Sequence, residues 1–95
     1  MREKELEIKI QLDEEMAQGM YSNLSAVNNN GNEFTFDFMY LQPQQPKAKV
    51  RARIISSPRH AKQLMLTLQE NIRLYESRFG KIELIPPPQE NKILQ

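Results

Sequence analysis

Two alternating strand patterns followed by one sharply bounded helical pattern occupy residues 34–80, and this order limits the fold more than any other feature. Apolar residues recur at every second position through residues 34–40 and again through residues 48–54. A period of two indicates a strand with one face toward a core. The period then becomes helical from Pro58 to Phe79, and Gly80 follows. This stretch is therefore predicted to pack a sheet against a helix.

Two further strands are expected before this stretch. Alternation of Leu6, Ile8, Ile10 and Leu12 predicts a first strand over about residues 4–12. Residues 13–19 are expected to form a loop or one helical turn that ends at Gly19.

The second strand is expected from Met20 to Val27, although its alternation is poor. Two orientations remain open, and the sequence does not choose between them. Either Met20, Leu24 and Ala26 face the core, or Tyr21 and Val27 do.

Turn residues divide the strands that follow. Asn and Gly residues at 28–32 predict a hairpin turn, and the prolines at 43 and 46 mark the next one. The third strand is expected at about 33–42 and the fourth at about 47–55. A hairpin centred on residue 44 places large residues opposite smaller ones: Phe38 with Val50, Phe36 with Ala52 and Phe34 with Ile54. The other face then pairs Asp37 with Arg51.

The helical segment carries clear start and stop signals. Ser57 is a suitable N-cap, Pro58 suits the first helical position, and Gly80 suits the end. Its core-facing positions form one stripe: Ala61, Leu64, Met65, Leu68, Ile72, Tyr75 and Phe79. We expect this helix to cross the sheet and to bury the aromatic residues of the third strand, Phe34, Phe36, Phe38 and Tyr40.

The predicted fold is thus α+β, a four-stranded antiparallel meander with one long C-terminal helix packed on one face. This ββββα order is similar in topology to the SecB-type export chaperone. Residues 1–85 are expected to form one domain, and residues 86–95 a Pro-rich flexible tail.

Composition sets limits on function. The net charge is +1, from 13 basic and 12 acidic residues, which argues against a general affinity for nucleic acid. The chain has no cysteine, and no apolar run of the roughly 20 residues that cross a bilayer. The charged start lacks the pattern of a secretory signal, so a cytoplasmic protein without membrane contact is expected.

Eight short segments stand out together: residues 21–24, 33–34, 37–38, 50–54, 57–58, 60–62, 68–72 and 75–76. They resemble a small bacterial family catalogued as domain of unknown function 3467 (DUF3467). The resemblance covers roughly residues 4–80 and implies no established activity. Residues 28–30 are Asn where many members carry a His-Ser-Pro-like turn, so no shared site is expected there.

No catalytic, cofactor or metal site is predicted. His60 is the single histidine and has neither cysteine nor a second histidine to complete a zinc site. A surface or capping role is expected for it. Glycine-rich phosphate loops and nucleophile motifs are absent from the sequence, so we do not expect an enzyme.

Two surfaces are candidates for binding. Spare apolar residues on the second faces of the helix and the third strand predict a homo-oligomer, with a dimer favoured, or a protein-binding or chaperone-like adaptor: Met39, Leu41, Leu66 and Leu74. The alternative is a nucleic-acid-binding module that uses the basic row on the fourth strand: Lys47, Lys49, Arg51 and Arg53. No aromatic residues interleave with this row in the sequence.

Overall fold

The computed structural model describes residues 7–84. A single helical turn precedes three strands and a long helix: α1 (Glu14–Ala17), β1 (Leu24–Asn29), β2 (Phe34–Leu41), β3 (Ala48–Ser56) and α2 (Pro58–Phe79). The strands form one antiparallel sheet in the order β1-β2-β3. Sequence neighbours lie side by side because short hairpins join them.

The prediction of four strands is wrong, because the sheet within residues 7–84 has three. Residues 7–12 form no strand, and Ile10 is 91% exposed. Alternation groups side chains on a face, but a strand exists only where its backbone groups pair with a neighbour. Because this first strand is not formed, the predicted ββββα order and its similarity to the SecB-type chaperone are also wrong. Residues 4–6 of that strand and the predicted tail at 86–95 lie outside the described residues.

The first hairpin confirms the predicted Asn-Gly turn. Asn30 Oδ1 accepts hydrogen bonds from the backbone N–H groups of Asn32 and Glu33, both at 2.8 Å. On β1, Ala26 is buried and Leu24 half-buried, whereas Val27 is exposed. The first of the two orientations that the sequence left open is therefore correct for these strand residues.

The second hairpin forms with a register different from the predicted one. Phe38 lies opposite Ala52, Phe36 opposite Ile54 and Phe34 opposite Ser56. Between Phe38 and Met39 the register shifts, because β3 contains one extra residue there, Arg51. The pairing near the turn, with Leu41 opposite Ala48, is already one residue away from the predicted register, and the β-bulge adds one more residue. The total shift of two residues leaves each side chain of β2 on the face predicted for it.

The sheet consequently has two different faces. The face that we call the aromatic face carries Val27, Phe34, Phe36, Phe38, Tyr40 and Ile54. The opposite one, here the ion-pair face, carries Ala26, Asp37, Met39 and Arg53. Ala26, Asp37 and Met39 are buried. The small core of this chain therefore lies on the ion-pair face, at the central strand.

Helix α2 has the predicted bounds but not the predicted packing. Ser57 Oγ accepts a hydrogen bond from the His60 N–H at 3.1 Å, and Gly80 ends the helix with φ of +100°. Extensive packing between the described elements is confined to the pairs β1–β2 and β2–β3. No residue of α2 is buried. The expectation that α2 covers the aromatic face within one chain is thus wrong, and Phe38 remains 37% exposed.

Candidate interaction site

The apolar stripe of α2 is the largest uncovered apolar feature of the helix. Its seven residues are those predicted from the sequence, Ala61 through Phe79, at helical spacing. Each of the six larger ones is exposed, from Leu64 to Phe79. Such a stripe is typical of a helix that packs against another surface. The described part of this chain supplies no such surface to it.

The four apolar residues predicted as a partner face do not lie together. Leu66 and Leu74 are about half exposed on the side of α2 opposite the stripe, and Leu41 is exposed at the end of β2. Met39 is only 3% exposed, which corrects its expected place on an open surface. It sits on the central strand between its register partners Leu24 and Val50.

The basic row begins one residue before β3 and is divided by the β-bulge. Arg53 turns to the ion-pair face and binds Asp37. Lys47, Lys49 and Arg51 line a shallow concavity beside Tyr40. The Arg51 guanidinium carbon lies 5.8 Å from the centre of the Tyr40 ring, a cation–π contact.

A second tyrosine, Tyr21, contacts Tyr40, and sequence reasoning missed this contact. The rings of Tyr21 and Tyr40 meet edge to face, with centroids 6.3 Å apart. The sequence placed no aromatic residue among the basic ones, since Tyr21 is 30 residues away from Arg51 along the chain. The signal available was Tyr40, the last member of the alternating aromatic run.

Tyr21 is held in place by the polar residues that follow it. The Asn23 side chain donates to the carbonyl of Leu41 at 3.1 Å and accepts from its N–H at 2.8 Å. Its amide group thus makes the two hydrogen bonds that a neighbouring strand would make at the end of β2. Ser22 Oγ donates to the carbonyl of Met39 at 3.0 Å. These bonds fix residues 21–23 against β2.

The ion pair between Asp37 and Arg53 anchors the opposite face. Arg53 Nε lies 2.7 Å from Asp37 Oδ1, and Arg53 Nη2 lies 2.9 Å from Oδ2, so the pair is bidentate. The hydrogen bonds from Arg53 hold the pKa of Asp37 below its ordinary value, and the positive charge of Arg53 acts in the same direction. The sequence predicted a carboxylate–arginine pair across these strands, but with Arg51 in place of Arg53.

His60 occupies the first turn of α2. Its Nδ1 lies 2.7 Å from Ser56 Oγ, and its backbone N–H donates to the cap residue Ser57. Among residues 7–84 no group of three His, Asp or Glu side chains is placed to hold a metal ion.

Protonation of Asp37 should weaken the fold. Its folded pKa lies below the unfolded value of about 3.9, so the ion pair stabilises the fold above that pH. The stabilisation is lost as the pH falls through the folded pKa. We expect Asp37→Asn to lower the urea midpoint at pH 7 and to flatten its dependence on pH between roughly 5 and 2.

Asp13→Asn is the matched control, because Asp13 is exposed and lies outside the sheet. Glu70 also has a lowered pKa, from its pair with Arg73 on α2, and this contribution is common to both variants. Equal pH dependence in Asp37→Asn and Asp13→Asn would contradict a stabilising role for the pair.

Neither α1 nor α2 is long and apolar enough to cross a membrane. A comparison with curated proteins and with solved structures finds no match to this chain. The sequence profile of the family described as "Protein of unknown function (DUF3467)" matches residues 1–84. This match confirms the resemblance seen in the sequence, and the chain belongs to the DUF3467 family.

Proposed function

We propose that this chain is a non-catalytic binding or adaptor domain that functions as a homo-oligomer, with a dimer favoured. The observation that carries the proposal is the bare helix: none of the 22 residues of α2 is buried in the single chain. The aromatic face of the sheet is also only partly covered. Two apolar surfaces on one small domain support a role in association.

The energetics favour association over an isolated chain. Full burial of a Leu or Phe side chain contributes about 1.5–3 kcal/mol. Within residues 7–84 the buried apolar residues are Ala26 and Met39. That core is small against the conformational entropy that ordering the chain costs. A subunit that covers the stripe and the aromatic face adds the missing burial.

A second copy of the chain suits these surfaces. The net charge of +1 gives little repulsion between copies. The non-catalytic part of the proposal rests on the sequence, which offers one histidine and no cysteine. We place the protein in the cytoplasm as part of the same proposal.

The mass in solution tests the oligomer directly. We expect light scattering after gel filtration to give twice the 11.2 kDa of one chain, or a larger even multiple, at both low and high salt. The mass should resist salt because apolar contacts are not screened. A folded monomer at both salt concentrations would contradict the proposal.

A protein-binding role is tested on the side of α2 opposite the stripe. We expect Leu66→Glu combined with Leu74→Glu to keep the oligomeric mass but to remove proteins that co-purify with the wild-type chain from cells. The charges would sit on an exposed apolar surface that a partner has to desolvate.

The matched control is Gln63→Glu with Ser77→Glu, which adds the same charge to the same side of the helix without removing an apolar residue. Mass spectrometry of the co-purified proteins compares the two. The same loss in both double variants, or no loss in either, would contradict a binding role for Leu66 and Leu74.

A nucleic-acid-binding module is the second candidate, and the corner formed by Tyr21, Tyr40 and Arg51 is the observation that favours it. Single-stranded nucleic acids bind to surfaces that combine cations with aromatic rings. Here Lys47 and Lys49 lie beside Tyr40 and Arg51.

If this candidate is correct, Lys49→Gln with Arg51→Gln should weaken binding to single-stranded RNA or DNA and lower the slope of log affinity against log salt by about 1–2. Fluorescence anisotropy measures both quantities. Arg59→Gln with Lys62→Gln removes the same charge at the start of α2 and is the control. No binding by the wild-type chain at low salt would eliminate the candidate.

A further inference from the structure

The connection between β3 and α2 decides where the helix goes. β3 ends at Ser56 and α2 begins at Pro58, so a single residue joins them. Strand-to-helix connections in compact units commonly have 2–6 residues. One residue gives the chain no length to reverse and to lay the helix about 10 Å above its own sheet.

This junction is also rigidly built. Ser57 is extended, with φ of −80° and ψ of 158°, and its carbonyl accepts from the Ala61 N–H at 2.9 Å. The ring of Pro58 fixes φ at the first helical position. Ser56 Oγ and His60 Nδ1 lie 2.7 Å apart and tie the strand end to the first turn. The helix is therefore held away from the sheet that precedes it.

Two complementary apolar surfaces are thereby separated within one chain. The aromatic face is only partly buried, and the apolar stripe of α2 packs on no surface within residues 7–84. Their dimensions agree: a helix of 22 residues is about 33 Å long, and a strand of nine residues about 30 Å. A helix lying along the strands would span the full length of the aromatic face.

We propose that α2 of each chain packs its apolar stripe on the aromatic face of a second copy, so that two chains exchange helices reciprocally. The inference rests on the proposed homo-oligomer and names its geometry. A two-fold axis makes both contacts equivalent, and each copy both gives and receives one helix.

The area supports this arrangement over a dimer formed by two helices alone. A strip about 33 Å by 10 Å on each of four surfaces gives roughly 1,300 Å², within the range of stable protein interfaces. Contact between the two stripes alone would bury about half of that area. It would also leave both aromatic faces in water, including Phe38 and Ile54.

Photo-cross-linking from the helix tests the geometry. The chain has no cysteine, so Leu68→Cys can be labelled with benzophenone maleimide without competing sites. The labelled variant is unfolded and refolded together with an equal amount of unlabelled, ¹⁵N-enriched wild type. After irradiation, mass spectrometry identifies the cross-linked peptides and the isotope shows which chain each came from.

We expect Leu68→Cys to cross-link to residues 24–56 of the other chain. Leu66→Cys is the matched control, since Leu66 is on the opposite side of α2 and similarly exposed, at 48% against 56% for Leu68. The Leu66→Cys variant should not form a cross-link to residues 24–56 of the other chain. Circular dichroism on both variants confirms that the helix is intact.

The other outcomes separate this inference from the proposed oligomer. A dimeric mass with cross-links from Leu68→Cys to α2 of the other chain would overturn the reciprocal exchange and leave the homo-oligomer standing. Cross-links to residues 24–56 of the same chain would overturn it as well. A monomeric mass would overturn both proposals together.

Discussion

The short junction at Ser57 and Pro58 is the constraint on which the rest of the structure depends. It joins a strand of the sheet to a helix whose apolar stripe packs on no surface within residues 7–84. Capping, the fixed φ of proline and the Ser56–His60 contact all stabilise the same exit direction. A longer or glycine-rich link would let the helix fold back on its sheet. In the proposed dimer, this link directs the helix to the second copy.

The β-bulge at Arg51 has a comparable effect inside the sheet. It places Arg53 opposite Asp37 on the ion-pair face, where the two form a salt bridge. It leaves Arg51 in contact with the ring of Tyr40, closer to the turn. Bulges commonly redirect side chains in this way. Without the extra residue, all four basic residues of the row would follow plain alternation. The bulge therefore separates Arg53, which pairs with Asp37, from the other three basic residues, which remain exposed.

The sequence predicted the local elements well and their arrangement poorly. The bounds of α2, the Asn30 turn and the choice of faces on β2 follow from local rules, since caps, turn residues and alternation act over a few residues. The register of β2 and β3 failed for two reasons: the hairpin places Leu41 opposite Ala48, one residue away from the expected pairing, and a bulge leaves no compositional mark at Arg51. The burial of Met39 failed because alternation assigned it to a face expected to be solvated.

The larger error, helix packing, has a general physical cause. Periodicity records that a face is apolar, and it carries no information about which chain covers that face. The stripe that ends at Phe79 and the aromatic residues that begin at Phe34 would show the same spacing whether they met within one chain or between two. Ile8, Ile10 and Leu12 have the same ambiguity, because they alternate like a strand but pair with neither edge of the sheet within residues 7–84. What distinguishes the two cases for the helix is the length of the connection, and one residue between β3 and α2 is the strongest argument that the cover comes from outside the chain.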